Sequence, residues 1–279
     1  MFLSKDGMKI AQESKHSVYL DVENLSVSYG STKVLQKLNL KVAPGTIAAV
    51  MGPSGIGKTT LLKTISGLIP FNSGRIIVNG TDVSSLSKKD LHSHRINTGY
   101  MFQHGALFTH MSVFDNVAFP LLENTNLPAS MIADLVTLKL NVVGLRGAKD
   151  LMPAELSGGM ARRVALARAS ALDPALMLYD EPFTGQDPIS VAVLVELIAK
   201  MRDALNLTSV IVSHDLSAVA KIADSIHIIS EGSIIANGSV DEIFSSHNPL
   251  VKQFIKGFSD GDIPFHYPAP KTLIEEVTE

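Results

Sequence analysis

Short apolar runs alternate with amphipathic stretches along most of the chain. Between residues 18 and 50, "VYLDVENLSVSY", "KVLQKLNLKV" and "TIAAVM" are rich in β-formers and are separated by Gly30 and the Pro44-Gly45 turn pair, which predicts strands. A helical spacing begins at Lys58 and stops at Gly67; strand character returns over Gly74 to Val78, ahead of the turn pair Asn79-Gly80. From His104 to about Asp150 the β pattern lapses, and Pro120 and Pro128 are expected to cut this stretch into short helices. After it come a helix to about Leu172, a turn at Asp173-Pro174, a strand "ALMLY", a helix from Pro188 to Leu205, a strand "TSVIVS", a helix from Asp215 and strands around Ile226 to Ile235. Apolar strands alternating with helices predict an α/β fold with a mostly parallel sheet buried on both faces.

The same pattern sets the expected organisation: a polar arm over 1–17, one domain over 18–247 with a helical subdomain inserted at about 104–170, and an extension over 248–279. Beyond His247 the pattern fades. The tail "DGDIPFHYPAPKTLIEEVTE" is rich in proline and acid, and Phe265 and Tyr267 lie between Pro264 and Pro268, so an extended arm carrying two aromatic anchors is expected.

Composition narrows the function classes. With 24 Lys+Arg against 27 Asp+Glu the net charge is -3, so the field that draws a protein to nucleic acid is missing. The chain of 279 residues contains no cysteine, which excludes disulfides and thiolate metal sites. No apolar run approaches the roughly 18 residues needed to span a bilayer, and "MFLSKDGMKIAQESKHS" has no apolar centre of the signal-peptide kind. A chain soluble by itself is expected, and the mean hydropathy of +0.22 fits either a large buried sheet or apolar surface covered by a partner.

Several stretches carry chemistry. "GPSGIGKTT", made of Gly52, Pro53, Ser54, Gly55, Ile56, Gly57, Lys58, Thr59 and Thr60, follows an apolar strand and opens a helix. In that setting the backbone N–H groups cradle phosphates, Lys58 reaches the β and γ phosphates and Thr59 offers its hydroxyl to Mg²⁺. "ALMLYDEP" ends a buried strand in Asp180, placed to bind the metal's water shell, and Glu181, placed to polarise an attacking water. His214 follows "SVIVS" at the same expected sheet edge, and Gln103 ends the strand-like "TGYMFQ", within reach of the metal or the water. Tyr29, before Gly30, is a candidate platform for adenine. His92 and His94 read as surface residues. "LSGGMARR" then sets a second pair of glycines, Gly158 and Gly159, behind Ser157 at a helix start.

These pieces in this order resemble an ABC-type ATPase over roughly residues 18–247: Tyr29 as the A-loop aromatic, Gly52 to Thr59 as Walker A, Gln103 as Q-loop, "LSGGM" as signature, Asp180 and Glu181 as Walker B with the catalytic glutamate, and His214 as H-loop. The resemblance implies a P-loop NTPase with a RecA-like core, an amino-terminal β-rich subdomain, and ATP with Mg²⁺ as ligands. It implies head-to-tail pairing with a second copy, in which Ser157, Gly158 and Gly159 of one subunit meet the nucleotide held by the other, with Asp187 nearby. Met160 stands where the family usually has glutamine, and "TGQDP" departs from the usual wording around Asp187.

"QHGALF", "VFDNVAFPL", "VVGLRGA", "YDEPFTGQDP" and the tail "DGDIPFHYP" further resemble the ATPases of bacterial Mla-type phospholipid transport systems. That likeness implies a membrane permease pair, a small STAS-domain protein, a periplasmic lipid-binding protein, and a place on the cytoplasmic face of the inner membrane through partner subunits. An ABC importer ATPase for another solute and a non-transport ABC ATPase stay open as alternatives.

Overall fold

The computed structural model describes residues 18–259 and 261. The expected polar arm and the aromatic arm around Phe265 and Tyr267 lie outside the described residues.

Among the described residues, ten strands form two sheets. The first is antiparallel in the order β2-β1-β4-β5, from β1 (Leu20–Tyr29), β2 (Thr32–Val42), β4 (Ser73–Val78) and β5 (Thr81–Asp82). The second has the order β10-β9-β3-β8-β7-β6, from β3 (Ile47–Met51), β6 (Thr98–Met101), β7 (Leu176–Asp180), β8 (Thr208–Val212), β9 (Ser225–Ser230) and β10 (Ser233–Gly238). All its pairings are parallel except that of β10 with β9.

A period of two along each central strand divides the interior into two cores. Ile47, Ala49 and Met51 of β3, Met177 and Tyr179 of β7 and Ile211 of β8 face one core, while Ala48, Val50, Leu176, Leu178, Val210 and Val212 face the other. Both sets are fully buried, which is why these strands read as unbroken apolar runs. The second core is shared with the antiparallel sheet and with α1 (Lys58–Ile65), which touches β2, β7 and β8.

Between β5 and β6 runs α2 (Lys88–Ile96), a polar helix with no buried residue that the hydropathy pattern does not reveal. Its Ser87 cap accepts from Asp90 N–H, and His94 Nε2 lies 2.9 Å from Ile65 O at the end of α1. His94 is therefore half-buried, not a free surface residue.

The helical insertion comprises α3 (Val113–Asn124), α4 (Ala129–Val142) and α5 (Gly158–Ala169), which pack on one another, while α5 also touches β6. Pro120 does not cut α3 but lies within it. The capping box of Ser112 and Asp115 secures the helix start, so a lost N–H near its end is tolerated. Beyond β7 come α6 (Pro188–Leu205), α7 (Leu216–Val219), α8 (Val240–Phe244) and α9 (Pro249–Lys256). The last overturns the fading expected after His247: Asn248 caps it, Gly257 ends it at φ 66°, and Val251 joins the core completely buried.

One titratable group is locked inside this framework. His227 on β9 pairs in register with Val50 and is 4 % exposed, and burial pushes its imidazole down to about 4. An unfolded histidine takes up its proton near pH 6.5, so between pH 6.5 and about 4 the unfolded chain binds more protons than the folded one and stability falls with acid. Urea titrations at pH 7 and pH 5 are expected to differ by about 2 kcal/mol more in the parent than in His227→Gln.

Candidate active site

The carboxyl edge of the parallel sheet gathers the chemistry. β3 ends at Met51, and the chain then turns through "GPSGIG" into α1. Gly57 caps that helix at φ 104°, and a Cβ there would lie 2.7 Å from Val34 Cγ1 and 2.9 Å from Leu35 Cδ2. Both backbone and space demand glycine. Lys58, 7 % exposed, curls back and donates to Gly52 O at 2.9 Å and Pro53 O at 3.0 Å. Its Nζ also stands 3.6 Å from Glu181 Oε1, and burial holds the ammonium below its ordinary pKa against the opposing pull of Glu181.

Glu181 is the hub. It is buried, adopts a left-handed φ of 47°, and is anchored by its N–H to Val212 O at 2.9 Å. A non-glycine residue in that region costs on the order of 1–2 kcal/mol and persists only where its surroundings over-determine it. Here Lys58 faces Oε1, while His214 Nδ1 at 2.9 Å and the Thr184 hydroxyl at 3.1 Å meet Oε2. The preceding Asp180 accepts from Thr59 Oγ1 at 2.8 Å through Oδ1 and from the Tyr100 hydroxyl at 3.1 Å through Oδ2. Burial raises its carboxyl pKa, and both hydrogen bonds oppose that rise.

A cavity of about 370 Å³ opens here, lined by Tyr29, Val34, Ser54, Gly55, Gly57, Lys58, Thr59, Thr60, Gln103 and Glu181. Tyr29 at its rim is 53 % exposed, and Ile56 packs inward on the second core. Lys58, Glu181, Gln103 and Tyr29, which are distant in sequence, therefore line one cavity.

The signature residues do not line it. Ser157 caps α5, its hydroxyl accepting from Met160 N–H at 3.2 Å. A side chain at Gly159 would run into Ser190 Oγ, whereas one at Gly158 would meet nothing within 4 Å. Asp187 is spent within its own chain as the cap of α6, accepting from Ile189 N–H and Ser190 N–H at 3.0 Å each. Its carboxyl is held below the usual range, most strongly by the Ser190 hydroxyl.

Three residues that make contacts here had no separate signal in the sequence. Thr184 and Tyr100 touch the two acidic residues, and Arg162 of α5 reaches Phe102 O at 3.4 Å and Thr184 O at 3.3 Å, tying the helical subdomain to both loops. Thr184 lies in the departing "FTGQD" stretch and Tyr100 reads as a plain strand residue.

A glycine loop opening a helix at the edge of a parallel sheet, with an acid pair at the end of the strand one beyond its neighbour, defines a P-loop NTPase. The ABC transporter family model matches residues 35–184, and the chain belongs to that family. It is 53% identical over 260 residues to the intermembrane phospholipid transport system ATP-binding protein MlaF of Haemophilus influenzae, covering 93% of this chain and 98% of that protein. The Escherichia coli K12 MlaF is 49% identical, with 90% and 93% covered. A probable ribonucleotide transport ATP-binding protein, mkl, of Mycobacterium tuberculosis H37Rv is 38% identical, with 88% and 68% covered. Among solved structures, cbiO1 of Clostridium perfringens, part of the ABC transporter complex cbiONQ, superposes with a TM-score of 0.76 at 31% identity, covering 82% of this chain and 92% of that one. The dimeric post-hydrolysis ATP-binding cassette MJ0796 bound to ADP and Pi does so at 0.74 and 25%, covering 79% and 98%.

Gly57→Ala is expected to combine backbone strain with the Val34 clash and to lose about 1–3 kcal/mol of stability. Urea denaturation measures this, and ATP affinity should fall with it because α1 shifts away from its loop.

Proposed function

We propose that this chain is the ATP-hydrolysing subunit of a transporter that moves phospholipid between bacterial membranes through a separate permease. The observation that carries the chemistry is the convergence of Lys58, His214 and Thr184 on buried Glu181 beside the cavity. The cargo reading rests on the extent of likeness to the MlaF proteins, over nearly the whole length of both chains.

In this reading the triphosphate lies along Gly52 to Thr60, with adenine on Tyr29. Lys58 exchanges its bonds to Gly52 O and Pro53 O for the phosphates, and its departure leaves Glu181 free to accept a proton from the attacking water. His214 keeps Glu181 oriented and meets the γ phosphate. Thr59, Asp180 and Gln103 are hard oxygen donors and fit Mg²⁺, which binds few protein groups and keeps phosphate and water ligands. Magnesium, when bound, neutralises charge developing on the phosphates.

Ser157, Gly158 and Gly159 serve the nucleotide of a second copy. Gly158 faces open space at the start of a 12-residue helix, so its missing side chain has no use within its own chain but leaves the N–H groups free to approach phosphate. The start of α6, which Asp187 caps, adjoins the signature turn, since a Cβ at Gly159 would run into Ser190 Oγ, and the dimeric cassette MJ0796 is the precedent for such pairing. The permease, a STAS-domain protein and a periplasmic lipid-binding protein complete the assembly, which holds this chain at the cytoplasmic face of the inner membrane. Among the described residues no helix is long and apolar enough to cross a membrane, so attachment through partners fits.

Glu181→Gln is expected to bind ATP as the parent does and to hydrolyse it roughly 10²-fold to 10⁴-fold more slowly. A parental rate in the assembled transporter would remove Glu181 from the mechanism. Mixed dimers of Gly158→Asp chains with Lys58→Ala chains should retain one intact composite site and turn over at a single site. Crosslinking that put Ser157 on the nucleotide of its own chain would contradict this arrangement.

A further inference from the structure

Tyr100 sits one residue before the end of β6, beside β7, in register with Leu178 two positions before Asp180. Its hydroxyl donates to Asp180 Oδ2 at 3.1 Å, while Thr59 donates to Oδ1 at 2.8 Å. The two oxygens of one carboxylate are thus held by groups on different elements, β6 and α1, which fixes the plane of the carboxylate as well as its position. Each oxygen accepts one such bond and retains a further lone pair. The ring is itself fixed: it packs on Phe102 with centroids 4.3 Å apart at 33°.

We propose that Tyr100 is a positioning residue that holds the Asp180 carboxylate oriented for the nucleotide's divalent cation. This rests on the reading of Asp180 as a cation ligand. Between a phenol and a carboxylate only the phenol carries a proton to donate, so the bond runs from Tyr100 to Asp180. Replacing the hydroxyl by hydrogen keeps the Phe102 contact, frees the carboxylate to rotate about Thr59, and weakens its hold on a cation as loss of an outer-shell partner does, by roughly 10-fold to 100-fold.

The test uses the full chain carrying Glu181→Gln, so that nucleotide is not consumed. Mn²⁺ is titrated against the ATP-bound protein by electron paramagnetic resonance, and ATP binding is measured separately in EDTA. Adding Tyr100→Phe is expected to weaken Mn²⁺ binding by roughly 10-fold while ATP binding in EDTA and the thermal unfolding midpoint stay near parental values. Tyr100→Met repeats the test should the Phe variant not fold. Asp180→Asn is the reference and should lose more Mn²⁺ affinity than either. Parental Mn²⁺ affinity in a folded Tyr100 variant, with Asp180→Asn impaired, would overturn the role of Tyr100 alone. Parental affinity in Asp180→Asn would overturn the reading of Asp180 and this proposal with it.

Discussion

Two opposite charges, Lys58 and Glu181, lie 3.6 Å apart at the edge of the sheet with almost no solvent around either. Burying such a pair is unfavourable unless geometry and further hydrogen bonds repay the lost hydration. Both conditions hold: Lys58 has two loop carbonyls, and Glu181 has Thr184, His214 and the anchor of its own N–H on β8. Each partner comes from a different segment. The loop, the ends of β7 and β8 and the turn into α6 must therefore all be in place before the pair is tolerable, which makes this edge a product of the whole parallel sheet. The pair is also a charge arrangement that a phosphate can rearrange, because an anion at Lys58 competes directly with Glu181.

The sheet itself was legible because its strands are buried on both faces. Runs such as Leu176 to Tyr179 and Val210 to Val212 have no polar face to hide, and flanking turn pairs mark their ends. The glycine loop was equally plain, since its residues are forced by backbone geometry within a few positions. Elements whose stability comes from elsewhere were not. Helix α2 has no fully buried residue, only Leu91 leaning on the second core, and shows only the Ser87–Asp90 cap; α9 is eight residues long, with cap signals at Asn248 and Gly257 but little apolar length; and Pro120 reads as a breaker unless the capping box upstream is weighed against it.

The site was legible residue by residue but not as a network. Asp180, Glu181 and His214 follow apolar strands and could be assigned to one edge from the alternation alone. That Glu181 takes a left-handed conformation against β8 and that Tyr100 bonds to Asp180 depend on pairing between strands far apart in sequence, and the bond from Thr184, three residues on, depends on the turn that begins at Glu181; periodicity carries none of these. Asp187 shows the converse: the sequence suggests a ligand, and within a single chain its carboxylate is spent as a helix cap.

In the proposed function the signature turn is what separates an isolated subunit from a working one. Ser157, Gly158 and Gly159 do not line the cavity of Lys58 and Glu181, and in that reading a second copy completes each site and ATP drives the pairing. ATP does so only to the extent that it binds the closed pair more tightly than the open chains. Sedimentation velocity on the Glu181→Gln chain, with and without Mg²⁺-ATP, tests this most directly. The account predicts a monomer without nucleotide, a dimer with it, and loss of that dimer when Lys58→Ala or Gly158→Asp is added. A chain that stays monomeric with saturating Mg²⁺-ATP, or pairs equally well with Gly158→Asp present, would contradict it.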